Sequence, residues 1–126
     1  MTWLAIGLGG AAGTLARYGV GTAVQRYSAT FPYSTLVINV AGSFLLGFLM
    51  RYLLSTTVSP DLRAALTIGV CGGFTTFSTF SYETARLLES GSWMRASAYV
   101  GASVAGSIVA TFAGFAVAAR TIARGG

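Results

Sequence analysis

The stretch CGGFTTFSTFS, residues 71–81, is the part of the sequence that decides how this chain folds. It joins a glycine pair to five hydroxyl side chains and three phenylalanines, with no charge among them. It lies inside an apolar segment that runs from about Leu62 to Leu88. Two adjacent glycines lower the stability of a helix where they occur, and Thr or Ser beyond them would cap a resumed helix. The sequence therefore predicts a long helix that is broken near Gly72–Thr75.

Four apolar segments of this kind account for nearly the whole chain. A chain of 126 residues with 54% hydrophobic and 9% charged residues cannot hide all its apolar side chains in one small water-soluble core. Each segment exceeds the roughly 20 residues that a helix needs to cross hydrocarbon, and the alternation of a membrane barrel is absent. We therefore expect an all-α membrane protein, with residues 1–126 as a single domain of four transmembrane helices. The spans cover about residues 3–24, 33–54, 62–88 and 94–119.

All eight basic residues are arginine, and the formal net charge is +5. Such a charge is also found in proteins that bind nucleic acid, but here the arginines mostly flank the spans, where they influence topology. With four spans, one side of the membrane would hold Arg51, Arg63, Arg120 and Arg124, and the other Arg26, Arg86 and Arg95. This bias is weak, so insertion in both orientations remains open. The lipid bilayer, rather than nucleic acid, is the expected surrounding.

The residue types needed for common enzyme chemistry are scarce. The chain has no histidine and three acidic residues, and Cys71 is its only cysteine. Histidine-based metal sites, Ser-His-Asp triads and paired-carboxylate hydrolysis therefore lack their parts. The sequence predicts that the protein is not an enzyme.

The segment GLGGAAG, residues 7–13, superficially resembles a phosphate-binding loop. Such a loop follows a strand and is followed by an acid about 20 residues later, whereas no acid occurs here before Asp61. Inside a membrane span, Gly9 and Gly13 at a four-residue spacing instead predict a flat surface for close helix contact.

Polar side chains recur every four residues in the fourth and second spans. In the fourth span, hydroxyls at a four-residue spacing favour a polar track, although each could equally bond back to the preceding turn. Beside them a stripe of small residues, Ala102 to Gly114, indicates a packing face. Asn39 lies well inside the second span, where its amide either joins helices or contacts a ligand. The four track residues are Tyr99, Ser103, Ser107 and Thr111.

Arg17 and two phenylalanines complete the candidate site. Arg17 lies about two-thirds along the first span, so its guanidinium either reaches the interface or lines an aqueous vestibule that attracts anions. Phe77 and Phe80 are three residues apart and share a helix face. They either face lipid or place electropositive ring edges beside the neighbouring hydroxyls, including that of Thr79. Hydroxyls, an amide, ring edges and an arginine together suit an anion.

These residues carry a specific resemblance. GGFTTFSTFSYE (residues 72–83), INVAGSFLLG (38–47), LARY (15–18) and YVGASVAGS (99–107) resemble the Fluc, or CrcB, family of fluoride channels. The resemblance covers all four spans and implies a dual-topology antiparallel homodimer with two fluoride pores, in the cell membrane. It implies that Arg17 lies in the vestibule and that the backbone carbonyls of Gly72 and Thr75 hold a structural sodium ion. The implied pore residues are Asn39, Phe77, Thr79, Phe80, Tyr99, Ser103, Ser107 and Thr111.

The expected activity is passive export of fluoride, with no organic cofactor. Hydrogen fluoride crosses lipid and dissociates inside, so the ion needs a pore to leave, and each water it loses must be replaced by a donor. Glu83 has no role that the resemblance assigns, and Arg86 offers it an ion pair at a three-residue spacing. One alternative is a proton-coupled multidrug exporter, but that class needs a carboxylate in the first span, which has none. Another is a non-conducting subunit of a membrane assembly.

Overall fold

The computed structural model describes all residues from Met1 to Gly126, and every element is helical. The all-α prediction is therefore confirmed. Two of the helices, α2 and α6, are long and apolar enough to cross a membrane by length and composition alone. The elements in order are α1 (Thr2–Gln25), α2 (Tyr33–Leu54), α3 (Pro60–Ala64), a π-helix π1 (Ala65–Cys71), α4 (Gly72–Phe74), α5 (Phe77–Glu89) and α6 (Trp93–Gly125).

Helix α6 extends beyond the apolar segment that predicted it. That segment ends near Ala119, whereas the helix continues to Gly125. Arg120 and Arg124 end the run of apolar side chains, but arginine is a good helix former, so the backbone continues until the terminal glycines.

The helix break comes later than the glycine pair predicts. Gly72 has helical backbone angles, φ −66° and ψ −37°, and begins α4. The backbone becomes extended only at Thr75 (φ −82°, ψ 158°) and Thr76 (φ −150°, ψ 116°). The break predicted near Gly72–Thr75 is therefore present at the C-terminal end of that interval, and the two glycines themselves remain helical. A Cβ on Gly73 would lie 2.5 Å from the carbonyl oxygen of Gly10, so this glycine is needed for close helix contact.

Helix α1 packs against π1 and α4 through glycines on both sides. A Cβ on Gly9 or Gly13 would overlap the backbone carbonyls of Ala65 and Val70, and one on Gly69 would lie 2.8 Å from the carbonyl oxygen of Ile6. The close approach predicted for Gly9 and Gly13 is confirmed. This contact holds the segment before the break firmly against the first helix.

Helices α2 and α6 form the other close pair. A Cβ on Gly47 would overlap the backbone of Thr111, and one on Gly114 would overlap the carbonyl of Phe44. Gly114 is buried, as the small-residue stripe predicts, but Ala102 at its other end is exposed. There Tyr99 and Ser103, rather than Ala102, face the interior.

Most of the apolar side chains lie at the surface. Only 14 of 126 residues are buried, and Trp3 is 91% exposed. A water-soluble protein of this length would hide a much larger share of such residues. This surface is suited to lipid or to another protein chain.

Candidate functional site

The Asn39 side chain holds the helix break from the side. Its Nδ2 donates to the Thr76 carbonyl oxygen at 2.9 Å, and the Thr76 backbone N–H donates to its Oδ1 at 2.8 Å. The amide of α2 thus pairs with the extended backbone as a neighbouring strand would. This geometry bears out the helix-joining role that the sequence left open. The second N–H of Nδ2 remains available to a further acceptor.

The break leaves the backbone carbonyls of residues 72–75 without the donors that a continuous helix would supply, and two of them are those of Gly72 and Thr75. In an α-helix the N–H of Thr76 would bond to Gly72, and that of Thr79 to Thr75. Here the Thr76 N–H bonds to Asn39, and the Thr79 N–H donates to Thr76 Oγ1 at 3.3 Å as an N-terminal cap. The carbonyls of Gly72 and Thr75 are therefore free to bind a cation, although Gly72 itself remains helical.

Three aromatic rings form a chain from the surface to the interior. The Phe77 and Phe80 ring centroids lie 5.5 Å apart at 55°, and those of Phe80 and Tyr99 lie 5.2 Å apart at 52°. Phe77 is 77% exposed, whereas Tyr99 is 0% exposed. Such tilted contacts leave ring edges, which carry partial positive charge, available along the chain.

Glu83 joins three helices beside Tyr99, at the inner end of the chain of aromatic rings. Its Oε1 accepts a hydrogen bond from Thr35 Oγ1 at 2.6 Å, and its Oε2 accepts one from Tyr99 Oη at 3.0 Å. The sequence suggested Arg86 as its partner, which is wrong, because Arg86 Nη1 lies 3.5 Å from Glu89 Oε2 instead. Exposed arginines near a helix end find the nearest exposed acid, whereas the half-buried Glu83 needs donors from other helices. One sequence feature could have indicated the contact between Thr35 and Glu83. Thr35 and Asn39 lie four residues apart, which places two polar side chains on the same face of α2.

The predicted hydroxyl track of α6 contains hydroxyls that already donate a hydrogen bond within the protein and one buried hydroxyl that has no partner. Tyr99 donates its only O–H proton to Glu83. Thr111 Oγ1 lies 3.0 Å from the Ser107 carbonyl oxygen and 3.4 Å from that of Ser43. Back-bonding to the preceding turn thus applies to Thr111. The buried Ser103 Oγ has no hydrogen-bond partner in the protein. Whether these residues line a pore stays a prediction.

Arg17 and Thr79 face a common open cavity of about 990 Å³. Its wall also includes Thr76 and Glu83, so the cavity reaches the cap of α5. The other predicted pore residues do not line it. The structure therefore separates the candidate site into a cavity with Arg17 and an aromatic and hydroxyl face that begins at Phe77.

Fold and site together define an all-helical membrane protein with an uncharged polar break. The sequence profile described as "CrcB-like protein, Camphor Resistance (CrcB)" matches residues 4–115. A Sorangium cellulosum protein is 50% identical over 123 residues, covering 96% of this chain and 97% of its own. A Geobacter sulfurreducens protein is 51% identical over 123 residues, covering 96% and 98%. A Chlorobaculum tepidum protein is 49% identical over 112 residues, covering 88% and 89%. All three are named "Fluoride-specific ion channel FluC".

The chain belongs to the CrcB-like family, because the profile and these relatives cover nearly its whole length. This confirms the family resemblance carried by the four quoted motifs.

Proposed function

We propose that this chain forms a fluoride-selective channel that lets fluoride leave the cell passively. The observation that carries the proposal is the break at Thr75 and Thr76, where amide, hydroxyl and ring-edge donors meet without an unpaired carboxylate. Relatives named for fluoride channels share about half of its residues along nearly its whole length.

Several residues each replace part of the water shell of a small anion. Arg17 raises the anion concentration in the cavity, and Thr79 and the free N–H of Asn39 offer hydrogen bonds near the break. The edges of Phe77 and Phe80 add weaker contacts. Several modest sites in sequence let the ion leave as readily as it enters. The path continues along the Ser103 and Ser107 hydroxyls and past Thr111, whose own proton is held by the Ser107 carbonyl oxygen. Tyr99 contributes its ring edge, because its hydroxyl proton is held by Glu83.

The active unit is an antiparallel homodimer of chains with four spans, about residues 3–24, 33–54, 62–88 and 94–119, in the cell membrane. Two features support a second copy as partner. Phe77, at the outer end of the ring chain, is 77% exposed and so is available for contact with a second copy. The arginines are divided four to three between the two ends, so neither orientation is strongly favoured.

A structural sodium ion fits the carbonyls of Gly72 and Thr75. Both have lost their helical donors to side-chain contacts, and neutral oxygens of this kind suit a small hard cation. When bound between two copies, the ion would balance the carbonyl dipoles and join the two breaks. By accepting the N–H donors of Thr76 and Thr79, the side chains of Asn39 and Thr76 leave both carbonyls available.

Coupled transport is the second candidate, and one observation favours it. Glu83 is a half-buried carboxylate within a membrane segment, and such groups serve as proton carriers in pumps and exporters. Its two oxygens are each held by one donor, however, and α1 carries no acid at all. Passive conduction therefore explains more of the site than proton exchange.

Fluoride efflux from liposomes distinguishes these functions. Purified protein is reconstituted with potassium fluoride inside, valinomycin sets the membrane potential, and a fluoride electrode records release. A channel releases fluoride rapidly without a sodium or proton gradient and releases chloride far more slowly. Efflux that needs a proton gradient indicates an exporter, and no efflux indicates an assembly subunit.

A further inference from the structure

The ring of Phe31, in the loop between α1 and α2, lies between the open cavity and the buried ring of Tyr99. Its centroid is 5.6 Å from that of Tyr99, with the planes at 86°, an edge-to-face contact. Phe31 also lines the cavity that contains Arg17. It thus extends the chain of Phe77, Phe80 and Tyr99 by one ring, toward the cavity.

The hydrogen bond to Glu83 fixes the position of the Tyr99 hydroxyl but leaves the rotation of its ring free. The phenol oxygen lies on the long axis of the ring, so the contact with Glu83 holds its position but does not stop the ring turning about that axis. The angle of the ring edges depends on neighbours. Phe80 contacts Tyr99 from one element and Phe31 from another, and edge-to-face contacts have a preferred angle.

Contacts within the loop hold Phe31 in place. The Tyr33 N–H donates to the Phe31 carbonyl oxygen at 2.8 Å around Pro32, whose φ of −78° and ψ of 64° are those of an inverse γ-turn. The Ser34 N–H donates to Ser28 Oγ at 3.1 Å and closes the loop. The Tyr33 ring packs on Phe31 with centroids 4.8 Å apart.

We propose that Phe31 is a positioning residue that sets the rotation of the Tyr99 ring and so aims its edge at the fluoride path. This inference rests on the proposed channel function. Phe31 does not itself bind the ion; it acts through Tyr99. An aromatic ring at this position is what the role requires, whereas an aliphatic side chain of similar size fills the space without a preferred angle.

The orientation of the Tyr99 ring is measured by ¹⁹F NMR of protein labelled with 3-fluorotyrosine. The fluorine marks one of the two ring edges, so the two ring positions related by a half-turn give two signals, and their ratio measures how strongly the contacts at one edge distinguish it from the other. The Tyr99→Phe variant identifies the signals of Tyr99. We expect one dominant signal in the parent. In Phe31→Leu the ratio of the two signals should fall by roughly threefold to tenfold, the weight of one edge-to-face contact, and Phe31→Trp should restore it.

Phe48→Leu is the matched control, because it makes the same substitution at a half-buried ring that stacks on Tyr52 rather than on Phe31 or Tyr99. We expect Phe31→Leu to slow fluoride efflux by roughly threefold to tenfold, Phe31→Trp to recover most of it, and Phe48→Leu to leave both signals and efflux near the parent. An unchanged signal ratio in Phe31→Leu, or an equal change in Phe48→Leu, overturns the proposal. If Phe31→Leu does not fold, Phe31→Met carries the same comparison.

The two parts of the experiment fail separately. A parent protein that releases no fluoride refutes the channel function, yet the NMR ratio still reports whether Phe31 orients Tyr99. A conducting parent with an unchanged ratio refutes the positioning role alone.

Discussion

Replacing Asn39 by aspartate tests the proposed pathway where structure and charge can be separated. The substitution keeps an oxygen for the Thr76 N–H, which now lies 2.8 Å from Oδ1. It replaces the donor 2.9 Å from the Thr76 carbonyl by a carboxylate oxygen. One contact is therefore kept, one becomes repulsive, and a negative charge is placed beside the break.

The expected effect follows from two contributions. Losing a hydrogen bond at a partly buried site costs about 1–3 kcal/mol. A fluoride ion about 5 Å from the new carboxylate would be repelled by about 3 kcal/mol at an effective dielectric constant of about 20. If the second contribution falls at the barrier, fluoride passage slows by at least about a hundredfold.

The assay is initial fluoride efflux from liposomes, per amount of protein, for the parent, Asn39→Asp and Asn39→Ala. Alanine removes both amide contacts without adding charge, so it loses one contact more than aspartate does, and this extra loss offsets part of the charge effect in the comparison. We expect Asn39→Asp to conduct at least about tenfold more slowly than Asn39→Ala, with both eluting from a sizing column like the parent. If aspartate conducts as fast as alanine or faster, no anion passes near this side chain, and the reasoning is wrong.

Further predictions address the rings, the track, the topology and the ion. Phe77→Ile and Phe80→Ile keep apolar bulk but remove ring edges, so we expect at least one to lose about tenfold in efflux while remaining folded; parental rates in both would limit the rings to packing. Ser103→Ala should slow efflux more than Thr111→Val, because only the Ser103 hydroxyl is unpartnered, and the reverse order would argue against free hydroxyls as the donors. In a Cys71→Ala background, a cysteine added at either terminus should react from both sides of the membrane if the dimer is antiparallel; labelling from one side only excludes this. Replacing external sodium with a bulky organic cation should leave short-term efflux unchanged, whereas immediate loss of efflux would indicate sodium coupling.

The fold was predictable where a long apolar segment meets a simple periodicity. Gly9 and Gly13 lie four apart in the first segment, and the structure places both against backbone carbonyls of the third. The position of the break was less predictable. Gly72 and Gly73 weaken a helix locally, but contact with Gly10 on α1 keeps Gly73 helical, and that contact depends on the tertiary arrangement.

The break itself lies at Thr75 and Thr76 because side chains there offer the backbone better partners than the helix does. Asn39, 37 residues away in sequence, takes both polar groups of Thr76. The Thr76 hydroxyl then caps the next helix. No local pattern reveals a partner at that distance, although a lone amide inside a membrane segment does indicate that one must exist.

The Glu83 contacts show that the role of a hydroxyl in this site depends on which acceptor its proton is donated to. A list of residue types counts Tyr99 as a hydroxyl donor and Glu83 as a negative charge that would repel an anion. In the structure the two groups are paired: Tyr99 Oη donates to one Glu83 oxygen and Thr35 Oγ1 donates to the other. The carboxylate is thereby supplied with donors from two other helices, and its negative charge is partly balanced where it lies. The cost is that Tyr99 can meet an anion only with its ring edge, which makes the orientation of that ring, and the residues that set it, part of the mechanism.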